Sequence, residues 1–366
     1  MTKYDNTYDA IIIGAGAAGL GAAYFLSASR SVLVLEREEQ PAYHSSGRSA
    51  AMYIEGYENS VVAELTMRGG DFFKHPPEEF CQNPILQARG GLTIATNGEE
   101  EHLAAYLKRW QPLCPELTQL DKDQVLEIVP SIRDDWLSCG AYDPSWLTID
   151  VHELLSTYQR GLKKHGAPVQ CRCEVVRLQR DKTWQVETNQ GEFRADMVIN
   201  AAGAWACEMG QLANASNIPL TPLRRTAAII PPPDASDAWP LVHTIDEKLY
   251  FKPESPGLMV CPQDETPSEP MDAYPDDMDV AIALARLEEV THITTSRVMH
   301  QWAGLRTFTA DRRPAIGLDP QAENFYWLAG QGGFGVQTSP GVGQMVAEHL
   351  VNDVALPDAI QAARFA

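Results

Sequence analysis

Residues 8–36 form a predicted strand–helix–strand unit, which constrains the fold more than any other part of the sequence. A β-branched run at residues 8–13 stops at a glycine, as a strand buried on both faces does. An Ala-rich helix is predicted over residues 14–27, and a second buried strand over residues 31–35. Because crossovers between strands of one sheet are right-handed and join parallel strands, the unit predicts a parallel α/β sheet.

The turn between the first strand and the helix carries the pattern GxGxxG. Gly14 permits the tight turn, Gly16 lets the backbone approach a pyrophosphate, and Gly19 lets the helix pack closely on the strand. Ala15 and Ala18, inside the same pattern, are also predicted to contact a bound dinucleotide. The helix N-terminus would offer its N–H groups and positive dipole end to the phosphates.

Glu36 ends the second strand, 22 positions after Gly14. A carboxylate at this place can accept hydrogen bonds from a ribose hydroxyl pair and disfavours a 2′-phosphate. The conjunction predicts a dinucleotide site but does not by itself choose between NAD and FAD.

The strand–helix pattern returns near the C-terminal end of the sequence. A strand is predicted over residues 325–329, a glycine-rich turn over residues 330–335 and a helix over residues 340–351. In the middle, a helix is predicted over residues 151–164, and an acidic, proline-bearing run at residues 264–279 is predicted to be a solvated loop. Strands are predicted over residues 169–178, 184–188 and 197–200. The dinucleotide domain is therefore expected to combine both chain ends, with a second domain inserted.

The charge balance excludes several classes of partner. Against 49 Asp and Glu there are 29 Lys and Arg, a formal net charge of −20, which disfavours nucleic acid and anionic membrane surfaces. The apolar stretch at residues 10–26 is broken by four glycines and is not expected to span a membrane. The seven cysteines include no CxxC pair and no zinc-ligand spacing, so free thiols, a cytoplasmic location and no metal site are expected.

Several motifs, in order along nearly the whole chain, carry a family resemblance. They occupy residues 9–37, 43–51, 198–205, 246–253, 302–306 and 329–338. On these motifs the sequence resembles the D-amino acid oxidase-like superfamily of FAD-dependent oxidoreductases, and most closely its bacterial FAD-dependent D-amino acid dehydrogenases, typified by D-arginine dehydrogenase. The resemblance implies an α/β fold: a Rossmann-type FAD-binding domain (residues 1–75, 150–210 and 300–366) and an α+β substrate domain (residues 76–149 and 211–299). A mostly antiparallel sheet is expected in the second domain.

The resemblance also implies the residues that contact FAD. Ser45, Ser46, Arg48 and Ser49 would contact the pyrophosphate and the flavin ring, and the helix after the glycine-rich turn would stabilise negative charge on the reduced flavin. The further implied contacts are Arg37, Ala50, Ala51, Val175, Ala202, Gly203, Trp205, Gly304, Gly332, Gly333, Phe334, Gly335, Val336 and Gln337. For the small residues at positions 200–203, a role in packing alone is as open as contact with the cofactor. No cysteine occurs at residues 304–306, so FAD is expected to be non-covalent.

For the substrate, the resemblance implies that Arg306 and Tyr250 hold an α-carboxylate. Arg224 would assist, although its neighbour Arg225 could do so instead. Tyr57 would act as a lid, and a backbone carbonyl of the turn at Gly333 would accept from the amine. The implied reaction is hydride transfer from Cα to flavin N5, giving an imino acid that hydrolyses to a 2-oxo acid and ammonia.

The sequence departs from D-arginine dehydrogenases at the substrate pocket. Met52, followed by Tyr53, replaces an active-site histidine, and Gly91 stands where a guanidinium-binding glutamate is expected. His243 lies near an apolar pocket position. Without a carboxylate to pair with a cationic side chain, the pocket is expected to prefer neutral, apolar or aromatic D-amino acids over D-arginine.

Three other functions stay open at this point. The same anchors would suit a secondary-amine oxidase of the sarcosine or proline type, or a 2-hydroxy acid dehydrogenase of the same superfamily. A non-enzymatic flavin-binding subunit is the third. The sequence leaves open whether oxygen or a quinone accepts the electrons, and whether the protein is a monomer or a dimer.

Overall fold

The computed structural model describes residues 6–234, 236–295 and 297–365. The predicted FAD-binding domain includes residues 1–5 and 366, which lie outside these ranges. The strands are β1 (Thr7–Ile13), β2 (Val32–Leu35), β3 (Met52–Tyr53), β4 (Leu86–Ala88), β5 (Gly91–Thr96), β6 (Thr118–Leu120), β7 (Leu137–Asp143), β8 (Leu147–Ile149), β9 (Val169–Gln170), β10 (Val175–Arg180), β11 (Trp184–Thr188), β12 (Gly191–Asn200), β13 (Leu220–Ile230), β14 (Leu241–Thr244), β15 (Tyr250–Glu254), β16 (Gly257–Cys261), β17 (Thr266–Pro267), β18 (His300–Thr309), β19 (Ala315–Leu318) and β20 (Phe325–Ala329). The helices are α1 (Ala17–Leu26), α2 (Ser60–Arg68), α3 (Gly70–Lys74), α4 (Glu100–Trp110), α5 (Lys122–Ile128), α6 (Val151–His165), α7 (Ala206–Leu212), α8 (Asp277–Val290) and α9 (Gly335–Asn352).

An eight-stranded sheet contains the predicted strand–helix–strand unit. Its strands β9, β2, β1, β12 and β20 run parallel in that order, and Ile11 pairs with Leu33 on one side and Val198 on the other. The β10–β11 hairpin and β19 add antiparallel edges. The parallel α/β unit predicted from residues 8–36 is confirmed, because β1 and β2 are connected through α1.

Helices α1, α6 and α9 cover one face of this sheet and share its apolar core. Two of them meet backbone to backbone: a Cβ added at Gly343 would lie 2.7 Å from the carbonyl oxygen of Gly21. Helix α9 begins at Gly335, five residues before the predicted start, and continues through Pro340. Pro340 has no N–H for the Val336 carbonyl, but the Ser339 hydroxyl donates to that carbonyl at 2.9 Å. The sequence pattern predicts that the helix starts at Pro340. This prediction is wrong, because the proline lies inside the helix.

A nine-stranded sheet is built from the middle of the chain. It is antiparallel except where β14 runs parallel to β5, which confirms the mostly antiparallel sheet. Strand β18 pairs with β13 along its length, so residues 300–309 belong to this sheet, whereas the predicted domain boundary assigns them to the FAD-binding domain. Helices α5 and α8 pack on one face. The other face turns towards the loop at residues 50–54 and the three-stranded sheet β3–β8–β4.

The acidic run at residues 264–279 is not a loop throughout. It contains the short strand β17, and the Asp276 side chain accepts from the backbone N–H of Met278 as the N-cap of α8. The aspartates that indicated a solvated loop therefore begin a helix.

All seven cysteines are free thiols. Within the described ranges, no helix combines the length and the hydropathy needed to cross a membrane.

Candidate dinucleotide and substrate site

The turn after β1 brings three backbone segments into close contact. Gly14 has a φ of 104°, and a Cβ there would lie 2.5 Å from the carbonyl oxygen of Ala201. A Cβ at Gly19 would overlap the Gly14 carbonyl oxygen. Gly19 does not line the cavity described below, so its place in the pattern is explained by helix–strand packing.

The Glu36 carboxylate is held by backbone N–H groups at the end of β2. It accepts from Ala15 at 2.8 Å and from Glu38 at 2.9 Å. Ala15 is fully buried beneath it, so Ala15 supports the site rather than lining it. Glu36 itself forms part of the cavity wall.

The loop at residues 42–51 closes over the N-terminus of α1. Gly16, the N-cap of α1, has no side chain, and the Ser46 hydroxyl accepts from the Ala17 N–H at 3.0 Å. The Ser45 hydroxyl donates to the carbonyl oxygen of Leu305 on β18. The loop therefore completes the helix terminus and joins it to the second sheet.

The Arg48 side chain lines the smaller of the two cavities described below and also bonds to protein groups. Its guanidinium donates to the carbonyl oxygens of Ala273 and Ala303, each at 2.9 Å, and forms an ion pair with Asp272 at 2.5 Å. The guanidinium therefore ties the loop to the segment before α8, and its donors are directed to protein groups.

Two adjoining cavities form one elongated space beside these elements. The first has a volume of about 560 Å³, and the Arg37 guanidinium lies 3.9 Å from the centre of the Trp205 ring on its wall. Its predicted wall residues are Gly14, Gly16, Glu36, Arg37, Ser45, Ser46, Val175, Ala202, Gly203 and Trp205. The second, of about 130 Å³, shares Gly16, Ser45, Ser46 and Gly203 with the first and adds Ala18, Ser49, Ala50, Gly304, Gly332, Gly333, Gly335 and Val336. Glycine and alanine walls, a helix N-terminus and the Glu36 carboxylate fit a dinucleotide such as FAD, which these residues would hold.

Three further predicted cofactor contacts lie elsewhere, and one of them, Ala51, lines the substrate cavity described below. Phe334 is buried, with its ring centre 6.2 Å from that of Phe308, so it anchors the turn in the core and does not reach the cavity. Gln337 faces the substrate cavity instead, and its amide bonds to the Ile54 backbone and to the Thr66 hydroxyl. Sequence position alone did not separate Phe334 and Gln337 from their glycine neighbours, because α9 turns them to different sides.

The second cavity is called the flavin-side cleft below. A third cavity, of about 340 Å³, opens from this cleft and is called the substrate cavity. Ala51 and Met52 line it, and Arg225, Tyr250, Arg306 and Gly333 line both spaces. A cofactor ring in the cleft would therefore face a molecule held by these side chains.

Arg306 extends from β18 to the junction of the two spaces. Among the described residues its guanidinium has no hydrogen-bond or ion-pair partner. Burial opposes its charge, but Tyr57 and Tyr250 beside it leave its pKa above the usual value. A Cβ at Gly333 would lie 2.8 Å from Arg306 Nη1, so a larger residue there would displace the guanidinium from its present position.

Tyr250 is buried on β15. Burial raises the pKa of its hydroxyl, which is therefore a neutral phenol able to donate a hydrogen bond. Tyr57 is half-buried and lines the substrate cavity. A lid residue would occupy such a position.

The choice between Arg224 and Arg225 is decided by the pleat of β13. Successive residues of a strand point to opposite faces. Arg224 points away from the cavities and pairs with Asp279 of α8 at 2.8 Å. Arg225 lines both the cleft and the substrate cavity, so the geometry replaces Arg224 with Arg225 as the second arginine of the site.

The Trp146 side chain lies beside Gly91, the position where the resemblance implies a glutamate in D-arginine dehydrogenases. Gly91 itself does not line the substrate cavity, and a Cβ there would overlap the Trp146 indole. Trp146 stacks on His243 with ring centres 5.5 Å apart, and Tyr106 completes this aromatic floor. Sequence reasoning missed Trp146 and Tyr106, because they reach the cavity from a turn and from α4, without a motif.

His243 is a neutral member of the floor. Its Nε2 lies 2.8 Å from the Thr93 hydroxyl, and burial lowers the pKa of His243 to about 4. It lines the cavity, as the sequence comparison with an apolar pocket position predicted.

Tyr53 is not a pocket residue. Its ring packs in the core 5.3 Å from Phe73, and its hydroxyl donates to Glu55 at 2.9 Å. Met52 and Tyr53 are neighbours on β3 and therefore point to opposite sides, which leaves Met52 on the cavity side.

The sequence matches the family described as DAO, FAD dependent oxidoreductase, over residues 9–349. The chain belongs to this family. It is a FAD-dependent oxidoreductase with the DAO fold, as the resemblance implied.

Curated relatives share about a quarter of the sequence. The chain is 24% identical to the mitochondrial dimethylglycine dehydrogenase of Rattus norvegicus over 376 residues, covering 96% of this chain and 44% of that protein. It therefore spans less than half the length of that relative. It is 23% identical over 370 residues to the glycine oxidase of Bacillus subtilis (strain 168), with 98% of this chain and 96% of that protein covered.

Solved structures of the same fold cover the chain almost completely. The glycine oxidase of Geobacillus kaustophilus aligns with a TM-score of 0.85 at 22% identity, covering 98% of each chain. The L-proline dehydrogenase of P. horikoshii aligns with a TM-score of 0.83 at 22% identity, again covering 98% of each chain.

Proposed function

We propose that this DAO family member oxidises the C–N bond of a free amino acid and prefers D-amino acids with neutral, apolar or aromatic side chains to D-arginine. The products are an imino acid and, after its hydrolysis, a 2-oxo acid and ammonia. The observation that carries the proposal is the guanidinium of Arg306. It has no protein partner among the described residues and lies where the flavin-side cleft meets the substrate cavity.

Arg306 and Tyr250 hold the α-carboxylate in this proposal. A guanidinium offers a planar pair of donors to a carboxylate, and the neutral Tyr250 phenol adds a third. Two fixed anchors restrict rotation of the bound acid and direct its Cα towards the cleft.

Bound FAD supplies the acceptor for the hydride that leaves Cα. The amine must be neutral at that moment, because only then does nitrogen have a lone pair to assist. The Gly333 carbonyl is proposed as the acceptor for the amine N–H, with the ammonium proton lost to solvent before the transfer. Tyr57 limits access of water from the rim.

The side chain lies over the aromatic floor. Trp146, His243 and Tyr106 supply ring faces, and Met52 and Leu241 supply apolar contacts. His243 is uncharged near neutral pH, and no carboxylate stands at Gly91 to pair with a cationic side chain. A cationic side chain over these rings would lose its hydration. Of the three carboxylates that line the cavity among the described residues, Glu58 and Glu265 are already paired with arginines, and burial raises the pKa of Glu247.

A secondary-amine substrate is the second candidate. Relatives named glycine oxidase and dimethylglycine dehydrogenase, and a structural neighbour named L-proline dehydrogenase, favour it. The same carboxylate anchors would serve sarcosine or proline, so the two candidates differ in what surrounds the nitrogen and Cα.

Anaerobic mixing of the FAD-loaded protein with single substrates separates these candidates. Oxidised flavin absorbs near about 450 nm, and its bleaching reports reduction directly. We expect D-phenylalanine, D-methionine and D-leucine to bleach the flavin faster than D-arginine, L-amino acids, sarcosine, proline or 2-hydroxy acids. Faster bleaching by D-arginine would overturn the pocket preference, and bleaching by sarcosine or proline alone would establish the second candidate.

The carboxylate anchor is tested by Arg306→Lys. Loss of the planar fork is expected to lower kcat/KM for the best amino acid by about 10- to 100-fold, because charge-assisted hydrogen bonds contribute about 1.5–3 kcal/mol. The matched control is Arg224→Lys, which alters an arginine of the same strand pair that faces α8. Equal losses in the two variants would contradict the anchor role.

A further inference from the structure

Four charged side chains form a continuous chain of ion pairs on the wall of the substrate cavity. Arg225 Nη2 lies 3.1 Å from Glu265 Oε1, and Arg312 binds both oxygens of Glu265 at 3.0 Å. Arg312 Nε also donates to Glu58 at 2.5 Å. All four line the cavity, and they are called the rim chain here.

Glu265 is the centre of the rim chain. Burial disfavours its charge, but the hydrogen bonds from Arg312 and the charges of Arg312 and Arg225 outweigh burial and lower its pKa. The carboxylate is therefore ionised and shared between two guanidinium groups. A shared, bidentate ion pair of this geometry holds both arginines in fixed positions.

The backbone around the rim chain is strained in a way that keeps these contacts. Glu58, Gln263 and Arg312 have φ values of 59°, 55° and 57°, in the left-handed region that disfavours side chains. Residues in this conformation concentrate where the surrounding structure fixes a functional arrangement. The Asp264 carboxylate further pins this segment by accepting from the Thr226 N–H at 2.7 Å.

Arg225 and Arg306, which line both the cleft and the substrate cavity, are in different states. Arg225 donates through Nε to the Asp264 carbonyl at 2.8 Å and through Nη2 to Glu265, so its fork is occupied. Arg306 has no such partner among the described residues. Arg109, exposed at the outer rim, donates to the Glu58 carbonyl at 2.8 Å.

We propose that Glu265 determines specificity by occupying Arg225 and Arg312, so that the site takes amino acids with one carboxylate and discriminates against dicarboxylic ones. The inference rests on the proposed function, since it concerns the substrate held by Arg306. A second carboxylate beside Arg225 would meet the Glu265 charge and would have to break an existing ion pair.

The test is Glu265→Gln in the FAD-loaded protein, with acetate and malonate as ligands that are not oxidised. Binding is read from the shift of the flavin absorbance, so the result does not depend on turnover or on which amino acid is the substrate. Loss of the charge frees Arg225, and we expect malonate to bind about 10-fold tighter while acetate changes little. With substrates, the KM for D-glutamate should fall relative to that for D-leucine.

Two further variants make the outcome specific. Glu348→Gln removes an α9 carboxylate that is paired with Arg68 outside the cavity, and it should leave the malonate-to-acetate ratio unchanged. In the double variant Glu265→Gln, Arg225→Gln the gain for malonate should disappear. Glu265→Met, which removes the same charge at similar volume, replaces Glu265→Gln if the latter does not retain FAD.

An unchanged ratio in Glu265→Gln, or an equal shift in Glu348→Gln, would overturn the role of Glu265. Failure of all amino acids to bleach the flavin would instead overturn the proposed function, and the two failures are therefore distinct.

Discussion

At the scale of single residues, the substrate cavity is shaped by small residues whose space is filled by a large neighbour. Gly91 is the clearest case, since the Trp146 indole lies where its side chain would project. In this position the Trp146 ring also stacks on His243, and the two rings form part of the aromatic floor. A glycine in one segment thus decides the chemistry presented by another.

His243 gives the residue scale a pH test. Its pKa is about 4 in the folded protein and about 6.5 when unfolded, so the unfolded state binds more protons between these values. The stabilising contribution is complete above about pH 6.5 and is lost as the pH falls towards 4. At pH 5 this loss amounts to about 2 kcal/mol for one histidine.

Urea unfolding at pH 7.5 and pH 5 measures this contribution. In His243→Gln the difference in free energy of unfolding between the two pH values should be smaller than in the wild type by about 2 kcal/mol. His102, an exposed histidine of α4, provides the control variant His102→Gln. An unchanged pH difference in His243→Gln would show that this ring is not kept neutral by the fold.

At the scale of elements, the dinucleotide turn depends on a loop distant in sequence. Helix α1 begins at a glycine, and the Ser46 hydroxyl supplies the acceptor that a capping side chain would otherwise provide. The loop is held in turn by Ser45 and Arg48, which bond to carbonyl oxygens of β18. The phosphate-binding helix end and the substrate sheet are therefore joined through one loop.

Ser46→Ala tests whether the Ser46 hydroxyl caps the N-terminus of α1. Removal of an N-cap acceptor costs about 0.5–2 kcal/mol, so the free energy of unfolding of the FAD-free protein should fall by about 1 kcal/mol. The affinity for FAD, measured by fluorescence titration, should fall as well because the loop loses its fixed position. Ser29→Ala, at an exposed serine beyond the end of α1, is the control. Identical unfolding midpoints for both variants would argue against a capping role.

At the scale of the whole molecule, the cofactor space is enclosed by segments far apart in the chain. The two cavities take their walls from residues 13–50, 173–212, 225–227, 250–259, 302–307 and 328–336. Much of the lining is backbone and small side chains, which leaves few contacts across the space when no ligand fills it. We therefore expect cofactor binding to stabilise several segments at once.

FAD removal tests this coupling. At a free FAD concentration about 100 times Kd, binding should stabilise the folded protein by about 2.7 kcal/mol. Hydrogen exchange should become faster in the FAD-free protein at residues 42–51, 201–205 and 330–336. The α5–α8 core lies on the far face of the second sheet and serves as the internal reference. A uniform increase in exchange over the whole chain would contradict local coupling.

Residue types and their spacing are enough to predict the parallel strand–helix–strand unit, the order of its glycines and Glu36, and the family with its cofactor. These features are local, because each depends on periodicity or on residue types that a tight turn and a helix end require. Short segments such as residues 184–188 and 325–329 are predicted with the bounds that β11 and β20 have.

The fold alone sets which side chains meet in the substrate cavity. It selected Arg225 over Arg224, and Met52 over Tyr53, because strand pleat and register set the direction of each side chain. It brought Trp146 to Gly91 and assembled the rim chain from four separate segments. Such contacts depend on the relative placement of two sheets, and a single sequence carries no local signal for that placement.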